Sequence, residues 1–189
     1  MTTTSAPLFP LPTVALFPRA AAPLHVFEPR YRQMMAAALE GERALVMATV
    51  RPDHVDEMAG DPPIYDVGCA GFIQTYQRLA DGRYNLVLQG TQRVRIDREG
   101  PREGDRLYRV VECTPLDDPV HDPNVCAELR RAVIGHLERI AAQNAGEALE
   151  HSIGRLEGME VAAFADGVCQ ALGLPPAEKQ ALLEAERSD

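Results

Sequence analysis

Hydrophobic and polar positions alternate most regularly between Val67 and Ile96. After Gly82 the even positions are Tyr84, Leu86, Leu88, Gly90, Gln92, Val94 and Ile96, and the odd ones Arg83, Asn85, Val87, Gln89, Thr91, Arg93 and Arg95. A period of two predicts a strand buried on one face. Asp81-Gly82 predicts a two-residue type I′ turn, since such a turn needs positive φ at both central positions and glycine has no Cβ to clash there. The stretch thus reads as a long β-hairpin, with Gly90 marking a bulge or sharp bend. A two-residue loop sets Ala80 opposite Arg83 and Tyr76 opposite Val87. Leu79, Thr75, Ile73 and Cys69 then share a core face with Tyr84, Leu86 and Leu88. The other face carries Arg78, Gln74, Asn85 and Gln89, but also an apolar trio, Phe72, Tyr76 and Val87. Either another part of the chain covers that trio or a partner does.

Elsewhere the pattern is shorter. Residues 1 to 6 read as a frayed tail. PLFPLPTVALFP, residues 7 to 18, predicts an irregular strand at a sheet edge or barrel seam, because its four prolines forbid a helix and deny a full ladder. Leu24 to Phe27 make a short strand. Glu28-Pro29 opens a helix with an apolar stripe of Tyr31, Met34, Met35 and Ala38 or Leu39, stopped by Gly41. Ala44 to Val50 is a nearly all-apolar strand, residues 51 to 63 are an acidic loop, and Leu107 to Leu116 is a last strand. At Asp117 to Asn124 the composition breaks and the period changes. Val125, Leu129, Val133, Leu137 and Ile140 fit an amphipathic helix with Asn124 as its N-cap. A weaker helix is expected over 145 to 156. Val161, Phe164, Val168 and Leu172 form a further helical stripe, and a last helix starts at Pro175-Pro176. The expected domains are a β-rich one over 1–118 and a helical one over 119–189. A small, partly closed barrel-like sheet with one inserted helix, an α+β arrangement, follows from this order.

The chain has 189 residues, a formal net charge of −9 and a sequence pI near 5.1, which argues against a general nucleic-acid or anionic-membrane surface. Lys179 is the only lysine. The cysteines, Cys69, Cys113, Cys126 and Cys169, form no CxxC pair and read as buried free thiols. With no secretory signal and no apolar run of membrane-spanning length, a cytoplasmic protein is expected.

Reactive constellations are sparse. There is no GxxxxGK[ST] phosphate loop, no GxGxxG after a strand and no GxSxG elbow. The serines are Ser5, Ser152 and Ser188, and a Ser152–Lys179 pairing would be arbitrary. His25, His54, His121, His136 and His151 form no HExxH or zinc-spaced cluster. His54, Asp56 and Glu57 read as a solvated acidic loop, and Asp117, Asp118, His121 and Asp122 lack calcium-loop spacing. Glu28, Arg30 and Arg32 read as an ion network at a helix end. No catalytic residue, metal or cofactor is expected.

Four stretches in order, PLFPLPTVALFP, PLHVFEPRYRQMM, IYDVGCAGFI and RLADGRYNLVLQGTQRVRI, resemble the N-terminal substrate-binding domain of the Lon protease family, in particular its free-standing bacterial form. FADGVCQALGLPPAEKQALLEAE is similar to the helical segment that follows the barrel in that family. The resemblance implies a PUA-like six-stranded pseudo-barrel with one helix, followed by a helical bundle. It implies a non-enzymatic role in recognising unfolded or exposed polypeptide, with a protease as a further partner, and it carries no catalytic residue onto any position here.

Two readings follow. The first is a polypeptide-binding module whose apolar candidates are Phe72, Tyr76, Val87, Phe17, Phe27 and Tyr31, with Phe9 in a flanking segment. The second is an RNA or small-ligand binder of PUA-like form, using Arg78, Arg83, Arg93 and Arg95 on the hairpin; the acidity of the chain weighs against it.

Overall fold

The prolines near the N-terminus interrupt a strand without preventing it. In the computed structural model, which describes residues 4–118, 122–144 and 158–185, strand β1 runs Thr4–Leu11. Its halves have different partners: Thr4–Pro7 pair antiparallel with β6 (Val110–Pro115), and Leu8–Leu11 pair parallel with β3 (Ala44–Thr49). Each proline therefore meets one paired neighbour and not two, and a missing N–H is tolerated. Thr4 to Ala6, expected as tail, are strand because β6 offers them a ladder.

Strand β2 (Ala21–Val26) leads into helix α1 (Pro29–Glu40), which begins on Pro29 and buries Tyr31, Met34, Met35 and Ala38 as the stripe requires. After β3, a 3-10 turn at Pro52–Glu57 opens the acidic loop. Strands β4 (Val67–Arg78) and β5 (Tyr84–Glu99) form the long hairpin, and β6 follows. The strand order is β2-β5-β4-β3-β1-β6, and β6 also pairs with β5. Five strands therefore close on themselves, while β2 extends the sheet from β5. Pro23 sits in the middle of this terminal strand, where a missing donor costs no second ladder.

Strand β5 makes the closure possible by changing partners. Tyr84–Gln89 pair with β2, and Val94–Glu99 pair with β6, along the same flank of the strand. Gly90 is where the change occurs. It pairs with Gly71 across the hairpin, and its N–H donates to Ala20 O at 2.8 Å. A Cβ at Gly90 would overlap the Phe17 carbonyl oxygen and lie 3.1 Å from its carbonyl carbon. The expected bend is thus a position where another backbone lies against the strand. Next to Gly90 the ladder slips by one residue, so Gly71 opposes Gly90 while Ala70 opposes Gln92.

Within the barrel, Phe9, Leu16, Tyr31, Met34, Met35, Leu45, Ile73 and Leu88 form the main core. Cα packing divides the described residues into two compact units, one of residues 4–117 with 166–185, the other drawn from the described residues between 118 and 165. Residues 166–185, expected with the helices, pack with the sheet. They comprise the C-terminal part of α3 (Val161–Ala171) and all of α4 (Pro176–Glu184). Gln170 of α3 accepts from Phe17 N–H at 3.0 Å and donates to Ala15 O at 3.3 Å, and Arg19 pairs with Asp166 at 2.6 Å. Leu183 of α4 is buried with Ala15, Phe17 and Ala20. Arg93 of β5 reaches the end of α4, donating to the carbonyls of Leu183 and Ala185 at 3.1 Å each, where a helix offers unpaired acceptors.

The second unit holds α2 (Pro123–Asn144). Its cap is Asp122, whose Oδ1 accepts from Asn124 N–H at 2.7 Å; Asn124, the expected cap, is displaced because Pro123 takes the first helical position. Val125 and Leu129 of the expected stripe are exposed, and Ile134 is buried instead. Arg130 lies over the Phe164 ring at 4.9 Å. The helix expected over 145–156 lies outside the described residues.

Cys69 lies within the core, and burial pushes its thiol from an ordinary value of 9.0 up to about 12. The folded state therefore favours the neutral thiol. That stabilisation is complete below pH 9 and is lost as the pH rises toward 12. Thiol labelling at pH 8 should leave Cys69 unmodified until the chain unfolds. Gly90→Ala should destabilise the fold by about 1–3 kcal/mol or more, because the obstruction is backbone, and urea unfolding measures it.

Candidate functional site

The hairpin turn sets which side chains the ribbon shows to solvent. Gly82 has φ +81°, and its N–H donates to Leu79 O at 2.9 Å, while Leu79 N–H donates to Arg83 O at 2.8 Å. The loop is therefore Ala80-Asp81-Gly82, three residues with glycine in the left-handed position, and not a two-residue turn. Asp81 braces it: Oδ1 accepts from Arg83 N–H at 3.0 Å and Oδ2 from Arg83 Nε at 2.6 Å, which holds its carboxyl below the usual range.

One residue of slip reverses faces. Tyr76 pairs with Leu86 and Arg78 with Tyr84, on the side that leads into the core, while Val87 pairs with Thr75. A bulge at Gln74 then restores Ile73 opposite Leu88 and Phe72 opposite Gln89. The expected pairing of Tyr76 with Val87 is thus corrected, and the trio divides. Phe72 and Val87 share the outer face; Tyr76 pairs on the other side, exposed near the end of the ribbon with Arg43 5.8 Å from its ring, and still borders the depression between β2, β5 and β4.

The outer face carries a shallow depression of about 540 Å³ across β2, β5 and β4. The pairing aligns its rows: Pro23, Val87 and Thr75 in one, His25, Asn85 and Gln77 in the next. His25 Nδ1 and Asn85 Oδ1 are 2.7 Å apart, which fixes the imidazole against the neighbouring strand. Phe27 stacks on His25 at 6.1 Å and is 59 % exposed. Phe72, 40 % exposed, lies at the opposite end. From the Gln89 row to the Arg83 row is six residues along β5, roughly 20 Å of strand. The site is an apolar-bottomed, uncharged groove with an exposed ring at each end.

Two of the candidates are elsewhere. Phe17 is 3 % exposed and packs against Leu183; Tyr31 is 4 % exposed, its ring 4.7 Å from Phe9. Both are interior because the crossing segment and α1 need apolar anchors, and burial raises the Tyr31 phenol to about 12. Phe9 is likewise buried. The basic stripe of the second reading also disperses: Arg83 is held by Asp81, Arg95 by Asp97 and Arg93 by carbonyls. Among the described residues no three His, Cys, Asp or Glu side chains gather as metal ligands, and no helix is long and apolar enough to cross a membrane. His54 pairs with Glu57 at 2.8 Å in its exposed turn, and that hydrogen bond raises its pKa. Arg30 pairs with Glu28 at 2.9 Å and also donates to Met58 and Gly60 carbonyls, pinning the acidic loop. His121, His151 and Ser152 lie outside the described residues. Sequence reasoning missed Pro23, His25, Thr75 and Gln77, since no local signal says that β2 lies beside β5.

The substrate-binding domain model of ATP-dependent protease La (Lon) matches residues 5–188. The chain belongs to the Lon substrate-binding domain family. Its curated relatives include Lon protease 2 of Desulfotalea psychrophila, 30% identical over 185 residues, covering 95% of this chain and 23% of that one. Another is Lon protease of Trichlorobacter lovleyi, 31% identical over 181 residues, covering 95% and 22%. The chain thus spans less than a quarter of the length of these relatives. Its fold is that of the N-terminal domain of a Mycobacterium avium complex Lon protease, with a TM-score of 0.70 at 21% identity, covering 96% of this chain and 90% of that one. The Lon N-terminal domain protein from Xanthomonas campestris aligns with a TM-score of 0.66 at 24% identity, covering 97% and 91%.

Serine substitutions should separate the aromatic candidates. Phe27→Ser and Phe72→Ser should leave the thermal midpoint within a few degrees. Phe17→Ser and Tyr31→Ser should cost about 3–5 kcal/mol in denaturant unfolding, as loss of a buried ring does.

Proposed function

We propose that this Lon-family domain binds exposed, extended segments of polypeptide along the outer face of β2, β5 and β4, by contact alone and without bond cleavage. The observation that carries the reading is the pair of exposed rings flanking a depression lined by no charged side chain, Phe27 stacked on His25 and Phe72 in the next row beyond Val87. A segment of about six extended residues spans the roughly 20 Å between them. Its apolar side chains would meet the rings, and the low polarity between imposes little sequence preference. His25 and Asn85 offer polar contacts to a peptide backbone midway. Family membership supports the same reading, because the matched region is the substrate-binding part of Lon.

A chemically unfolded protein, titrated against the chain by fluorescence anisotropy, tests it. Phe27→Ser and Phe72→Ser should each weaken binding about tenfold, equivalent to about 1.4 kcal/mol, with the folded protein as non-binding control. Unchanged affinity in the double variant would remove the groove from the function.

A further inference from the structure

Beside the turn that closes the β4–β5 ribbon is a second depression, of about 360 Å³. The first two turns of α1 form one wall, and Arg78, Gly82 and Tyr84 form the other. Arg32 and Arg78 both line it, and no carboxylate does. This is unusual for the chain. In the same compact unit, nine other arginines each face a carboxylate at 3.9 Å or less. Arg43 is drawn to the Tyr76 ring and Arg93 to helix-end carbonyls. Among the described residues, the guanidinium of neither Arg32 nor Arg78 makes an ion pair, hydrogen bond or ring contact.

The surroundings keep these two charges uncompensated. Asp81, the carboxylate of the turn, is engaged by Arg83 through both oxygens. Gln33, also in the wall, is committed to Asp105 O at 3.0 Å and Leu107 N–H at 2.7 Å. Gly82 leaves space for the Arg32 head: a Cβ there would overlap Nη2 and lie 3.0 Å from Cζ. Tyr84 is buried beneath, so the pocket has a solid floor. Two like charges on one pocket raise each other's energy, and an anion between them removes that cost. Guanidinium forks suit the paired oxygens of carboxylate or phosphate.

We propose that this pocket binds one oxyanion group, a carboxylate or a phosphate, between Arg32 and Arg78. The group is either free phosphate or the carboxylate of an acidic residue on a peptide. No residue lines both this pocket and the outer groove, so the site stands independently of the polypeptide reading.

Arginine Nε–H resonances of the full chain, followed by NMR at low salt, test it. Inorganic phosphate is titrated in one arm, and in the other a short peptide with a single aspartate, with the asparagine peptide as control. A saturable shift of Arg32 and Arg78 in either arm supports the site and names its source. In that arm Arg32→Gln and Arg78→Gln should weaken binding tenfold or more, while Arg98→Gln should not. Linear, unsaturating shifts in both arms, or equal affinity in the Arg32→Gln and Arg78→Gln variants, would overturn it. Phe27→Ser and Phe72→Ser should leave these titrations unchanged, so failure of one site is distinguishable from failure of the other.

Discussion

The contact of the Phe17 carbonyl with Gly90 is the constraint on which the sheet depends. It lets the crossing segment between β1 and β2 lie directly on β5. With that approach in place, β5 exchanges β2 for β6 along one flank, and five strands close. The same segment is held from its other side by Gln170 and Leu183. The last helices thus secure the point where the barrel bends, which is why they pack with the sheet. Interior closeness of this kind is intolerant of one added methyl group.

That arrangement also produces the outer groove. Because β5 parts from β2 at Gly90, β2 stands as a third strand beside the hairpin, and two rows of side chains from three strands face outward together. Pro23, Val87 and Thr75 leave a shallow bottom, while Phe27 and Phe72 rise at its ends. Most arginines of this unit are neutralised close to home, so the face is uncharged despite the acidity of the chain. A surface with apolar ends and few charges suits partners recognised by exposed side chains rather than by sequence.

Much of the fold was legible in residues. Alternation from Tyr84 to Ile96 gave β5, the Glu28-Pro29 start and the Tyr31/Met34/Met35/Ala38 stripe gave α1, and four ordered stretches indicated the family. What was not legible depended on tertiary partners or on single residues. Asp81-Gly82 fits two kinds of hairpin loop, and only the Gly82 and Leu79 hydrogen bonds distinguish them. That one-residue difference, with the bulge at Gln74, moved Tyr76 off the outer face. Phe17 looks as available as Phe27 in sequence, and its burial against Leu183 is non-local; Tyr31, by contrast, lies in the apolar stripe of α1 and is buried with it. The neighbours of β2 leave no local mark either, so half of the groove was invisible.

The central claim is that the outer face of β2, β5 and β4 receives an extended polypeptide. Backbone amide shift mapping of the labelled chain with an unfolded protein addresses it most directly. The account predicts perturbations concentrated on Pro23-flanking residues, His25, Phe27, Phe72, Asn85 and Val87. Perturbations confined to β1, β3, β6 or the helices, with that face silent, would contradict it.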